Sequence, residues 1–176
     1  KWGQEISDDF HARYSAVSRR YRYIIYNAAI RPALLQSNVT WQYRRLNHML
    51  MQEAAKTLLG KHDFTSFRAV ECSAKSPVRD LQSIDVYRRG DLVVLDITAN
   101  GFLHHMVRNI AGVLMAVGSG RQHVSWVQEV LLAKDRRQGA ETAPPYGLYL
   151  VDVHYPKHFN LASLAVGPWF LGQLDE

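Results

Sequence analysis

Three stretches of this 176-residue chain bring together residue types that do chemistry. The first is Ser18-Arg19-Arg20-Tyr21-Arg22-Tyr23. Tyrosines flanked by arginines on a strand can stack a base and grip the adjacent phosphates. The same string also suits a surface strand with cross-strand aromatic packing. The second is Gly101-Phe102-Leu103-His104-His105-Met106-Val107-Arg108-Asn109-Ile110. Its adjacent histidines fail as a metal pair, because neighbours on a helix point about 100 degrees apart and ligands want a spacing of three or four. Nothing nearby in the sequence completes a ligand set, so no metal is expected. Arg108 stands out: an arginine on a helix with an apolar face is costly to bury unless a carboxylate or phosphate meets it, or unless it reaches out to water. The third is Pro144-Pro145-Tyr146-Gly147-Leu148-Tyr149-Leu150. Gly147 permits close backbone approach at a strand start, and Leu148 either floors a pocket or joins the core.

Other chemistries have no template here. There is no Gly-x-Ser-x-Gly, phosphate-binding loop or dinucleotide fingerprint. Cys72, the sole cysteine, has no identifiable partner for nucleophilic work.

The elements that must position these residues follow from periodicity. Tyr21, Tyr23 and Ile25 alternate with Arg20, Arg22 and Ile24, which predicts a strand over about residues 15–27, stopped by Arg31-Pro32. A looser stretch runs on to Arg45. Asn47 can cap a helix reaching Leu59, with Gly60 placed to stop it. Residues 62–68 read as short and irregular. Two strands follow, over about 79–88 and 92–99, joined by a hairpin turn at Arg89-Gly90-Asp91. Leu103, Met106, Val107, Ile110, Leu114 and Val117 make a helical stripe that ends at Gly118-Ser119-Gly120. A shorter helix fits 125–133, and a last strand fits 147–155, closed by Pro156. The order strand, helix, strand, strand, helix, extra helix, strand predicts an α+β ferredoxin-like split βαβ fold. Its antiparallel sheet has helices on one face and an open face like that of RNA-recognition modules, which place aromatics there to stack bases.

Bulk properties narrow the setting. Lysine and arginine total 21 against 16 acidic residues, a net charge of +5. Arginine dominates and clusters at Arg13, Arg19, Arg20 and Arg22; its planar fork suits phosphate better than an ammonium does, and a solvated basic face fits the same cluster equally well. No apolar run approaches the roughly 20 residues of a membrane span, and no signal peptide follows Lys1-Trp2-Gly3. A single cysteine points to a reducing cytoplasm.

Taken together, the chain resembles the bacterial TruA family of tRNA pseudouridine synthases. The segments Asp9-Phe10-His11-Ala12-Arg13, Arg20-Tyr21-Arg22-Tyr23, Gly60-Lys61-His62-Asp63-Phe64-Thr65-Ser66-Phe67, residues 101–109 and Gly147-Leu148-Tyr149-Leu150 come in the family's order. They span almost the whole chain, with Gly167-Pro168-Trp169-Phe170 near its end. The resemblance implies isomerisation of uridine to pseudouridine at positions 38, 39 and 40 in the anticodon stem-loop of tRNA. It implies no cofactor and a homodimer with basic clefts. It assigns Tyr21 to the active-site tyrosine that packs on the uracil and assists proton removal at C5. Arg108 becomes the arginine that pairs with the catalytic aspartate, and Leu148 the apolar wall of the base pocket. Arg13, Arg20, Arg22, Arg68 and Arg79 become phosphate contacts.

One departure bears on activity. The family's nucleophilic aspartate sits in an Arg-Thr-Asp-x-Gly-Val-His segment, and no Arg-Thr-Asp occurs here. Arg79-Asp80 lies in a different family segment. The sequence also begins mid-family, so residues 1–176 are expected to be a single C-terminal domain, a truncated or processed half that is inactive alone. The rival reading is a non-catalytic RNA-binding module on the same fold, and a third is a structural dimerisation half.

Overall fold

The computed structural model describes residues 3–162 and 167–172. Six strands form one sheet: β1 (Ser18–Tyr26), β2 (Thr40–Trp41), β3 (Gly60–Asp63), β4 (Val78–Arg89), β5 (Leu92–Ala99) and β6 (Leu148–His154). Three α-helices accompany it: α1 (His48–Ala55), α2 (Met106–Gly118) and α3 (Trp126–Ala133).

β1 is the axis of the sheet. It runs antiparallel to β5 along one edge, from Arg19 opposite Ala99 to Tyr26 opposite Leu92. Its other edge is shared. β6 covers Ser18 to Tyr23 in antiparallel register, and the short β2 runs parallel beside Ile25 and Tyr26. β4 pairs β5, and β3 pairs β4. The order β6-β1-β5-β4, all antiparallel, is the ferredoxin-like split βαβ arrangement, with β2 and β3 added.

Alternation along β1 sorts its side chains as the sequence predicts. Tyr21, Tyr23 and Ile25 face the helices and join the main core with Ile84, Val86, Leu95 and Ile97. Asn47 starts α1 by accepting from the backbone N–H groups of Met49 and Leu50 at 3.1 and 3.2 Å. α1 then tightens into a 3-10 turn over Lys56–Leu58 rather than running on as α-helix to Leu59.

Four further expectations need correction. β1 begins at Ser18, because Val17 already bonds to His154 outside the ladder. α2 begins at Met106, because His105 sits at φ 60 in the left-handed region and cannot continue a helix backwards. The stretch read as irregular contains β3 and a 3-10 turn over Thr65–Phe67. The second sheet face is not fully open. Phe170 and Leu171 of the C-terminal tail pack there against Ile24, Val39 and Val94, and Arg89 donates to the Leu171 carbonyl at 2.6 Å. The aromatics of β1 that bear on the site, Tyr21 and Tyr23, lie on the helix side instead. Among the described residues no helix is long and apolar enough to cross a membrane.

Candidate active site

Arg108 lies in the first turn of α2, partly buried. Its Nε donates to the Ala143 carbonyl at 2.8 Å, and the Ala143 N–H returns a bond to the Arg108 carbonyl at 3.2 Å. No hydrogen bond or ion pair engages its two terminal nitrogens among the described residues. A cation in the first turn of a helix adds to the positive end of the helix dipole. That corner of the molecule therefore favours an incoming anion, and Arg108 still has one side of its fork to offer.

Of the neighbouring strands, β1 supplies Tyr23, whose phenol feels the Arg108 charge. Tyr23 pairs with Leu148 across the ladder, and Tyr21 with Leu150. An extra residue in β6 makes a bulge beside Tyr21. Leu148 packs partly buried against the main core, and the Tyr21 ring stands edge-on to Phe102, centroids 5.1 Å apart at 84°. Burial pushes the Tyr21 phenol above its usual range, partly opposed by the Arg19 cation. Tyr21 is therefore neutral at physiological pH. Tyr23 is a different kind of residue. Its ring is fully buried, and its hydroxyl donates to the Pro144 carbonyl at 2.8 Å and meets the Thr40 hydroxyl at 2.5 Å. Burial pushes its phenol up to about 12, against the opposing Thr40 bond and the Arg108 charge. Tyr23 holds the frame; Tyr21 packs against Phe102, which in turn lines a cleft.

Beside Tyr21 an open cleft is lined by Arg13, Tyr14, Arg19, Arg79, Gly101 and Phe102. Arg19 reaches three carbonyls there, those of Ala16 and Asn100 at 3.0 Å each and that of Arg13. Arg79 donates to the carbonyls of Ser76 and Val78 at 3.0 and 2.6 Å. Burial weighs first against its charge; Cys72 favours that charge and the neighbouring Arg68 cation opposes it. Arg68 itself donates to the Cys72 carbonyl.

Arg20 and Arg22 are elsewhere. Strand alternation sends both to the opposite face, where they share Asp96 of β5. Arg20 contacts it through two nitrogens at 2.7 and 2.8 Å, and Arg22 through Nε at 2.8 Å. The Arg22 side chain is only 3% exposed, and the backbone at Gly167 passes over its guanidinium. Its proposed role as a phosphate contact is corrected: Arg22 is an internal cation with its own carboxylate. Arg20 is one-third exposed but bidentate to the same group. Arg19, part of the arginine cluster but not among the phosphate contacts that the resemblance implies, shares the parity of Tyr21 and so its face. Phe102 was missed as well, and carries no signal in sequence beyond its place beside Gly101.

The imidazoles of His104 and His105 stack with centroids 3.9 Å apart. Among the described residues no group of three or more histidine, cysteine or acidic side chains could hold a metal ion. The Cys72 sulfur accepts from the His104 N–H at 3.4 Å and has no general base beside it in the described hydrogen bonds.

A family model described as tRNA pseudouridine synthase matches residues 54–156. The chain is 67% identical over 171 residues to a tRNA pseudouridine synthase A of Legionella pneumophila (strain Corby), covering 97% of this chain and 65% of the relative. It is 54% identical over 170 residues to a tRNA pseudouridine synthase A of Coxiella burnetii (strain Dugway 5J108-111), again covering 97% and 65%. The chain thus spans about 65% of the length of the curated relatives it matches. With the family model covering more than half of its residues, including the helix that carries Arg108, the chain belongs to the tRNA pseudouridine synthase family.

Proposed function

We propose that this chain is the C-terminal domain of an enzyme that isomerises uridine to pseudouridine at positions 38, 39 and 40 of the tRNA anticodon stem-loop. The observation that carries the reading is Arg108, pinned through Nε with its outer nitrogens unengaged among the described residues, on the side of the sheet that bears Tyr21 and Leu148. Such a guanidinium suits a carboxylate, which it would keep ionised and aimed. The carboxylate is the nucleophilic aspartate of the family pattern, supplied by residues outside this sequence. The reaction exchanges the N1–C1′ bond of uridine for a C5–C1′ bond; C5 loses a proton and N1 gains one, so the step is redox-neutral. Leu148 and Phe102 would keep the detached uracil dry while it turns. Arg13, Arg19, Arg68 and Arg79 hold phosphates of the stem-loop, and the target base leaves its stack to reach Tyr21, a cost of about a few kcal/mol. The enzyme acts as a homodimer in the cytoplasm, where tRNA is found.

The test uses tRNA carrying tritium at uridine C5, whose release reports isomerisation. The whole protein should release tritium and the 176-residue chain alone should not. In the whole protein, Arg108→Ala should abolish release with stem-loop affinity retained. Release by the chain alone would overturn the outside carboxylate. An inactive whole protein that binds RNA without preferring the intact stem-loop would favour a non-catalytic RNA-binding module.

A further inference from the structure

The segment 139–147 is a strap that crosses α2 and then enters the sheet. Three successive contacts fix its register on the helix. Ala143 lies against Arg108 through the reciprocal bonds given above. One step on, Thr142 donates its hydroxyl to Asn109 Oδ1 at 2.7 Å. Arg136 closes that contact into a ring, donating to both Asn109 Oδ1 at 3.1 Å and the Thr142 hydroxyl at 3.0 Å. Another turn along, the strap backbone passes so close to Gly112 that a Cβ there would stand 2.2 Å from the Glu141 carbonyl oxygen.

The far end of the strap is held as firmly. Pro144 accepts from Tyr23, and Tyr146 accepts from the Thr40 hydroxyl at 2.6 Å. Gly147, at φ 92, sits where a Cβ would be 2.3 Å from the Ile24 carbonyl oxygen, and its own carbonyl accepts from the Ile24 N–H at 2.9 Å. The next residue is Leu148. One short segment therefore ties the helix corner bearing Arg108 to the strand bearing Leu148.

We propose that Asn109, acting through Thr142, is a positioning residue that sets the register of this strap and thereby the direction of the Arg108 guanidinium. The backbone bonds at Arg108 alone do not choose a register, because every strap residue except proline offers the same N–H and carbonyl. The choice is made by the side chains. Asn109 is 1% exposed and its amide nitrogen is committed to the Phe67 carbonyl at 2.8 Å, so its oxygen has a fixed position. Among the strap side chains 139–147 it is the Thr142 hydroxyl that meets it, with Arg136 bonded to both. A slip of one residue would carry the acceptor for Arg108 Nε about 3.3 Å along the strap, and the outer nitrogens would turn from the site.

The proposal rests on the pairing role of Arg108, and two readouts separate the two ideas. In the whole protein, Thr142→Val keeps the side-chain volume and removes the hydroxyl, while Thr142→Ser keeps the hydroxyl. Thr142→Val should lower kcat by about tenfold or more, since a misplacement of about 1 Å can cost on the order of a hundredfold. KM for tRNA should be unchanged, and Thr142→Ser should restore the rate. By NMR, the Arg108 Nε–H should be protected from solvent exchange in the wild type and Thr142→Ser, and exchange faster in Thr142→Val. Unchanged exchange in Thr142→Val would overturn the proposal whatever the activity. So would a loss of kcat that Thr142→Ser fails to restore. If the wild type makes no pseudouridine, the functional reading falls, and the exchange measurement alone decides the positioning role.

Discussion

Arg22 and Asp96 form an ion pair inside the sheet, Nε to Oδ2 at 2.8 Å, with side chains 3% and 8% exposed. The two residues are direct partners in the β1–β5 ladder. A pair so removed from water gains little net stability over a well-packed apolar pair, but breaking it leaves a charge stranded. Asp96→Asn should therefore destabilise the protein by about 3–5 kcal/mol. Arg20→Ala, which removes the more exposed partner, should cost roughly 1 kcal/mol. Urea denaturation of the two variants checks the ranking; equal effects would mean that the pair with Arg20 carries the interaction and the buried Arg22 adds nothing.

The same carboxylate gives the stability a pH dependence of known sign. Burial alone would raise the Asp96 pKa, but the hydrogen bonds and charges of Arg20 and Arg22 outweigh it and hold the group below the ordinary carboxylate range. The unfolded chain therefore binds this proton at a higher pH than the folded one. The contribution of Asp96 is complete above the unfolded value and is lost as pH falls through the folded one. Urea midpoints should show the gap between wild type and Asp96→Asn constant from pH 7 to about 5 and narrowing below about 4. A gap that widens on acidification would contradict the ion pair.

Much of this fold is legible in sequence because the relevant periods are long. β1, β4, β5 and α2 each run eight residues or more, enough for alternation or a helical stripe to show. β2 is two residues, Thr40 and Trp41, and no period exists at that length. β3, Gly-Lys-His-Asp, lacks apolar alternation and is a strand because β4 offers it an edge. The candidate site divides the same way. Tyr21, Arg108 and Leu148 could be singled out from local patterns. The strap that relates Arg108 to Leu148 could not, since its bonds join residues 33 to 121 positions apart, two of them through backbone carbonyls that every residue carries. The assignment of Arg22 as a phosphate contact failed for a simpler reason: the alternation that separates it from Tyr21 was in plain view.

That alternation supports a sharp comparison of neighbours. Arg19 lines the cleft beside Tyr21, whereas Arg20 faces the other side and is occupied by Asp96. If the cleft holds phosphate, Arg19→Ala should weaken tRNA binding and reduce the slope of log K against log salt by about one. Arg20→Ala should leave the slope unchanged. Filter binding over a salt series distinguishes them, and equal slopes for the two variants would remove the cleft from the interface.

Tyr21 carries the remaining prediction. Its phenol is neutral, held so by burial, and its ring is fixed edge-on against Phe102. A neutral phenol can take a proton from C5 only while passing on its own, so the ring and the hydroxyl should be separable by substitution. Tyr21→Phe keeps the ring and the Phe102 contact; in the whole protein it should leave KM for tRNA near the wild-type value and lower kcat by about a hundredfold, the scale of a lost acid–base group. Tyr21→Ala removes the surface on which the uracil is proposed to pack, so it should lower kcat at least as far and raise KM as well. Steady-state tritium release gives both constants. Full activity in Tyr21→Phe would confine Tyr21 to packing and send the search for the C5 proton acceptor to another group.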